Sequence, residues 1–124
     1  MLNLFGGGAG GRKVPLITPA QAAEMLRAGD ALLVDVREPA ELAQTGRLKG
    51  AINVPLATLA QRADPAGPAH EPAFRTDRPV ILYCASGKRS DAAGQALLGL
   101  GYGAVYNLGG IGAAAAAGLP VERG

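Results

Sequence analysis

The chain's single cysteine, Cys84, stands in the stretch VILYCASGKRS, residues 80–90, where an apolar run meets a short polar turn. Gly87 lies in that turn, Lys88 and Arg89 follow it, and a helix-like pattern begins at Ser90. A cysteine in this setting can act as a nucleophile, because the thiolate is the reactive form and its surroundings decide how much of it is present. A loop that leaves a strand and enters a helix turns several backbone N–H groups inward. Together with the helix dipole they make an anion site. Gly87 supplies the positive φ that such a curl needs, and the charges of Lys88 and Arg89 add to the bias toward thiolate. The competing reading is a buried, inert thiol at a strand end, since free cysteine is among the most buried residue types.

The elements that must position this loop can be read from the pattern around it. The runs ALLVDV (31–36) and PVILYC (79–84) are continuous and apolar, as expected of strands buried on both faces of a parallel sheet. KVPLIT, GAINVP and AVYNL read as further short strands. The segment TPAQAAEMLRAG carries its own start and stop signals: Thr18 as N-cap, Pro19 at the first helical position, Gln21 completing a capping box, and Gly29 ending the helix. Helices are also expected in EPAELAQTG, PLATLAQRA, SDAAGQALLGLG and GAAAAAG, with a proline-rich loop at 64–79 as the place for insertions and mobility. Strands alternate with helices, which predicts an α/β fold with an open, mainly parallel sheet and helices on both faces. Residues 1–12 read as a flexible glycine-rich tail and 13–124 as one domain. Cys84 then falls at the carboxyl end of a central strand, the edge where open α/β sheets bind ligands.

Composition narrows the function classes. The 124 residues are 48% hydrophobic and 18% charged with a net charge of +2, so a packed globular domain is expected. The basic residues are scattered and aromatics reach only 4%, which argues against a nucleic-acid surface. One Cys and one His supply neither an internal disulfide nor a structural zinc ligand set. No apolar run approaches the ~18 residues of a membrane helix, and the N-terminus has no signal-peptide pattern. A reducing, cytoplasmic location is the expectation, with no metal or cofactor and with neither nucleic acid nor membrane as partner.

Four segments, in order, resemble the single-domain rhodanese family of sulfurtransferases: LLVDVREPAEL (32–42), GRLKGAINVPL (46–56), VILYCASGKRS (80–90) and NLGGIGAAAAAGLPVE (107–122). The resemblance covers residues 16–123 and implies a rhodanese-like fold. It also implies a chemistry: the Cys84 thiolate takes the outer sulfur of a small anionic donor such as thiosulfate, sulfite leaves, and a persulfide remains until cyanide or a thiol removes its sulfur. Cys84 is then nucleophile and sulfur carrier. Ala85, Ser86, Gly87, Lys88 and Arg89 supply the backbone N–H cradle, and Lys88 and Arg89 attract the donor. Ser90 either caps the following helix or bonds the persulfide, with capping the preferred role. With one Cys the chain cannot resolve its own persulfide, so the acceptor is external: glutathione, thioredoxin or a sulfur-accepting protein.

The resemblance places Asp35 beside the site, where it is expected to orient the loop through Arg89. Arg37 is expected either to line the entrance and bind the anionic substrate or to form a solvated surface pair with Glu38. His70 is a bystander. Two departures stand out: Arg47-Leu48 where the family usually has His-Ile, and Ala114 where it often has Trp, which predicts looser packing of the last helix. The alternatives are a sulfur-delivery protein for a protein acceptor, a cysteine-type phosphatase or arsenate reductase, and a non-catalytic rhodanese-like module. The phosphatase loop is one residue longer than the four residues between Cys84 and Arg89. The non-catalytic modules typically lose the Cys or the loop glycine, and this chain keeps both.

Overall fold

The computed structural model describes residues 13–123, so the expected tail at 1–12 lies outside the described residues. The order of elements is α1 (Pro19–Arg27), β1 (Leu32–Asp35), α2 (Pro39–Thr45), β2 (Arg47–Leu48), β3 (Ile52–Asn53), α3 (Leu56–Ala63), β4 (Val80–Cys84), α4 (Lys88–Gly99), β5 (Val105–Gly110), α5 (Ile111–Ala116) and β6 (Val121–Glu122). The main sheet has the order β3-β1-β4-β5, and all of its pairings are parallel. The two apolar runs are its central strands, buried at every position as their composition requires.

Side chains alternate across the sheet and divide the core in two. Leu32, Val34, Val36, Val80, Leu82 and Cys84 face one side, with Leu59 and Ala63 of α3 and Ala93 and Leu97 of α4. Leu33, Ile81 and Tyr83 face the other, with Ala22 of α1 and Ala114 of α5. Helices therefore cover both faces, as the alternating pattern predicted. α1 starts at the Thr18 N-cap with the expected capping box: the Gln21 N–H donates to Thr18 Oγ1 at 3.0 Å and the Thr18 N–H donates to Gln21 Oε1 at 2.8 Å.

Several boundaries differ from expectation. KVPLIT forms no strand; one parallel bridge joins Leu16 to Asn107, and Leu16 is 75% exposed. β2 and β6 form a separate antiparallel pair that the sequence did not announce, because two-residue strands carry no periodicity. α4 begins at Lys88, two residues earlier than expected, because Gly87 sits at φ +98° as its N-cap. The 64–79 loop holds no helix or strand but is anchored by Phe74, fully buried edge-on to Tyr102 with ring centroids 6.2 Å apart. His70 Nε2 bonds the Phe74 carbonyl at 2.8 Å, within that loop. Of the two departures, Leu48 is buried and its N–H donates to the Tyr83 hydroxyl at 2.9 Å, while Ala114 is 1% exposed within the second core.

Candidate active site

β4 ends at Cys84 with its sulfur on the α3–α4 side of the sheet. The chain then curls through Ala85, Ser86 and Gly87 into α4. The left-handed turn at Gly87 brings its N–H back onto the sulfur, with a nitrogen to Sγ distance of 3.0 Å. Ser90 Oγ lies 3.5 Å from the same sulfur. Burial by itself pushes the Cys84 thiol up. The Ser90 hydroxyl and the backbone N–H groups of Ser90, Gly87 and Ser86 outweigh it, and the thiol ends below its ordinary value. The loop therefore favours thiolate, and the same donors suit any anion that replaces it.

Asn107 on β5, nearly buried, holds the curl in shape. Its Nδ2 donates to the Gly87 carbonyl at 3.1 Å, and its Oδ1 accepts from the Gly109 N–H at 2.9 Å. These two backbone partners fix which way the amide points. Ser90 therefore donates its proton to Oδ1, 2.7 Å away, and turns an oxygen lone pair toward the protonated sulfur. When the sulfur ionises, the hydroxyl can rotate and donate to it, leaving Oδ1 still satisfied by Gly109. Two close approaches complete the mould. A Cβ on Gly110 would collide with the Ala85 carbonyl, and one on Gly87 would lie 3.3 Å from the Gly109 Cα. The approach is set by a register shift between β4 and β5, at Leu82 and Tyr83, which brings Gly109 opposite Tyr83 and Gly110 opposite Cys84.

The expected residues divide accordingly. Ser86, Gly87 and Ser90 converge on Cys84, but Ser90 is the third residue of α4 and bonds Asn107, so the preferred capping role is corrected. Ala85 is exposed in the curl and Lys88 at the first position of α4. Arg89 is directed at Glu41 of α2 in a two-pronged pair, Nη1 to Oε1 at 2.7 Å and Nη2 to Oε2 at 2.9 Å. The expected Asp35–Arg89 contact is not formed. Asp35 ends its strand at the same edge of the sheet as Cys84, but it shares the Leu33 and Tyr83 face, opposite the sulfur.

Asp35 bonds Arg37 instead, whose Nε and Nη2 lie 3.1 and 2.7 Å from Oδ2. Arg37 is 2% exposed and spends its remaining donors on Thr45 Oγ1 at 2.8 Å and the Gly46 carbonyl at 2.7 Å, with its guanidinium carbon 6.0 Å from the centre of the Tyr83 ring. It is neither at the entrance nor a surface partner of Glu38; it ties the end of α2 to β1. Tyr83 joins this group, its phenol pushed up first by burial and then by its bond to Asp35. Asn107 and Glu41 were missed by sequence reasoning. Asn107 left one trace, a polar residue in an otherwise apolar strand. Glu41 left only its position three residues after Glu38, which reads as a helix-start signal.

A parallel sheet that delivers a lone cysteine into an N–H-lined curl at its carboxyl edge defines a cysteine-loop α/β domain. The chain belongs to the rhodanese family: the Rhodanese-like domain matches residues 18–117. It is 43% identical over 93 residues to a sulfurtransferase of Allochromatium vinosum, a match covering 74% of this chain and 78% of that one. It is 44% identical over 87 residues to the uncharacterized protein YqhL of Bacillus subtilis, covering 68% of this chain and 62% of that protein's length, less than two thirds of it. Among solved structures, a Rhodopseudomonas palustris protein described as a possible tyrosine phosphatase superposes with a TM-score of 0.79 at 31% identity, covering 88% of this chain and 85% of that one. Relatives named as sulfurtransferases, the Allochromatium protein among them, support a sulfurtransferase reading.

Proposed function

We propose that this chain is a thiosulfate sulfurtransferase working through a Cys84 persulfide, in the reducing setting of the cytoplasm. The observation that carries the reading is the Cys84 sulfur facing the Gly87 N–H at 3.0 Å and the Ser90 hydroxyl at 3.5 Å. The thiolate attacks the outer sulfur of thiosulfate, an S–S bond forms, and the bond to the inner sulfur breaks with its electron pair leaving on sulfite. The persulfide keeps one negative charge on its terminal sulfur, which the loop N–H groups are suited to hold. Cyanide or an external thiolate then attacks that terminal sulfur, and Cys84 leaves as thiolate. Glutathione, thioredoxin or a sulfur-accepting protein fits the acceptor role, because the chain has no second thiol. A relative described as a possible tyrosine phosphatase raises phosphate chemistry as the rival reading. The short Cys84–Arg89 loop and the engagement of Arg89 by Glu41 weigh against it.

The test is intact-mass spectrometry after thiosulfate treatment, followed by cyanide and a thiocyanate assay, on wild type and Cys84→Ala. Wild type alone is expected to gain the mass of one sulfur and to lose it as thiocyanate. A folded wild type with neither adduct nor turnover refutes the reading, and aryl phosphate and arsenate are the next substrates to try.

A further inference from the structure

Arg89 follows the loop and lies one residue before Ser90, whose hydroxyl touches the sulfur, yet its charge is met at close range by a carboxylate from another element. Glu41 is held from three directions. Two are the Arg89 nitrogens, and the third is the Glu38 N–H, which donates to its Oε1 at 2.9 Å. The helix that carries it starts at Pro39 and is tied at its far end by Arg37, through Thr45 and the Gly46 carbonyl. The pair is partly exposed, but the carboxylate is positioned from its own helix start as well as by Arg89, and the far end of that helix is tied to the buried Arg37. Of the two cations beside the loop, Lys88 alone has no ion-pair partner among the described residues.

We propose that Glu41 is a specificity-determining residue, which sets the charge of the sulfur donor by neutralising Arg89 beside the reacting sulfur. The inference rests on the sulfur-transfer reading of the same site. With the pair neutral, a dianion such as thiosulfate is drawn by Lys88 and the loop N–H groups, and the site discriminates less sharply among donors of different charge than an unpaired Arg89 would make it. Removing the Glu41 charge raises the potential at the sulfur by the field of one cation. The gain in attack rate then scales with the charge of the reagent: none for a neutral reagent, a factor for a monoanion, and the square of that factor for a dianion. A factor of about three per unit charge is expected at low salt, shrinking toward one near ~0.5 M salt as screening sets in.

The experiment compares three reagents on the same sulfur in full-length wild type, Glu41→Gln and Glu41→Gln/Arg89→Gln. Iodoacetamide is neutral, iodoacetate is a monoanion and thiosulfate is a dianion. Gln at position 41 can still accept the Glu38 N–H. Ratios between reagents cancel any change in the thiolate fraction or in the amount of folded protein. Glu41→Gln is expected to raise the iodoacetate-to-iodoacetamide ratio about threefold, and the thiosulfate-to-iodoacetamide ratio about ninefold. The double variant, with both charges removed, is expected to return both ratios to wild type. An unchanged iodoacetate ratio in Glu41→Gln, or a double variant that stays shifted, overturns the proposal and leaves Glu41 a structural tie. If the alkylation ratios respond but no variant takes sulfur from thiosulfate, the charge-setting role stands and the thiosulfate reading fails.

Discussion

Replacing Asp35 with Asn tests the buried pair beneath the site. The change is nearly isosteric, but it leaves the Arg37 guanidinium, 2% exposed, without its counter-charge. Breaking a buried ion pair from one side costs about 3–5 kcal/mol. The low end is expected here, near ~3 kcal/mol, because Arg37 keeps Thr45 Oγ1 and the Gly46 carbonyl and Asn can still accept one bond. Against a typical domain stability of about 5–15 kcal/mol this is a large fraction, and it corresponds to a fall in Tm of roughly 10–15 °C. Urea unfolding followed by far-UV circular dichroism measures it, with the midpoint expected to drop by about 1 M or more. Asp35→Leu/Arg37→Met, which removes both charges, is expected to recover about half of the loss. It does not recover everything, since the buried Gly46 carbonyl loses its donor. A single variant within about 1 kcal/mol of wild type would refute the burial argument. Full stability with a raised KM for thiosulfate would return Arg37 to the substrate.

Ser90→Ala removes the side-chain hydroxyl that, among the described residues, bonds the sulfur, so the Cys84 thiol should rise toward its ordinary value. The acid limb of the alkylation-rate profile then moves to higher pH, and an unmoved limb would show that the backbone N–H groups carry the effect alone. Gly110→Ala places a methyl against the Ala85 carbonyl at a backbone φ of −99°, which any residue tolerates. Sulfur transfer is expected to fall at least about tenfold while stability drops by only ~1–3 kcal/mol, and activity within twofold of wild type would disprove the steric mould. Glu41 is held down at about 2 by its bonds to Arg89 and then by the Glu38 N–H. Its folded value is depressed, so its stabilisation is complete above about pH 4.5 and is lost as pH falls toward 2. The contribution is small because the carboxylate is a third exposed. Tm measured across that window should fall more steeply for wild type than for Glu41→Gln, and equal slopes would contradict it.

What the sequence made legible was local. Thr18, Pro19 and Gln21 encode a helix start within four residues, and two unbroken apolar runs encode strands buried on both faces. The thiol and its curl were readable for the same reason, since Cys84, Gly87 and Ser90 lie within one loop and one helical turn. Contacts made by folding were not. Arg89 and Glu41 are 48 residues apart, and nothing near either residue names the other. Arg37 looked like a surface residue because it precedes Glu38 and Pro39; its burial depends on a carboxylate two positions back and on a helix end eight and nine positions ahead. Asp35 was placed at the right edge of the sheet, but its expected partner Arg89 lay out of reach, because the β1–β4 register puts Asp35 on the face opposite the sulfur. Ser90 was assigned by its capping propensity, and the left-handed Gly87 had already taken that position.

The Asn107 amide also works as a gauge of loop length. One planar group, pinned by Gly109, touches the Gly87 carbonyl at one end of the segment and the Ser90 hydroxyl at the other. The span between those two residues is thereby fixed to a single turn of helix, whereas the span from Cys84 to Gly87 is not measured by it. An inserted residue in the second stretch would widen the ring of N–H groups and leave the gauge intact. The same insertion in the first would part Ser90 from Asn107 and swing the hydroxyl off the sulfur. Lengthening this anion ring to suit a bulkier guest therefore has one permitted address, between Cys84 and Gly87, and a library of loop variants should yield folded, reactive members only there.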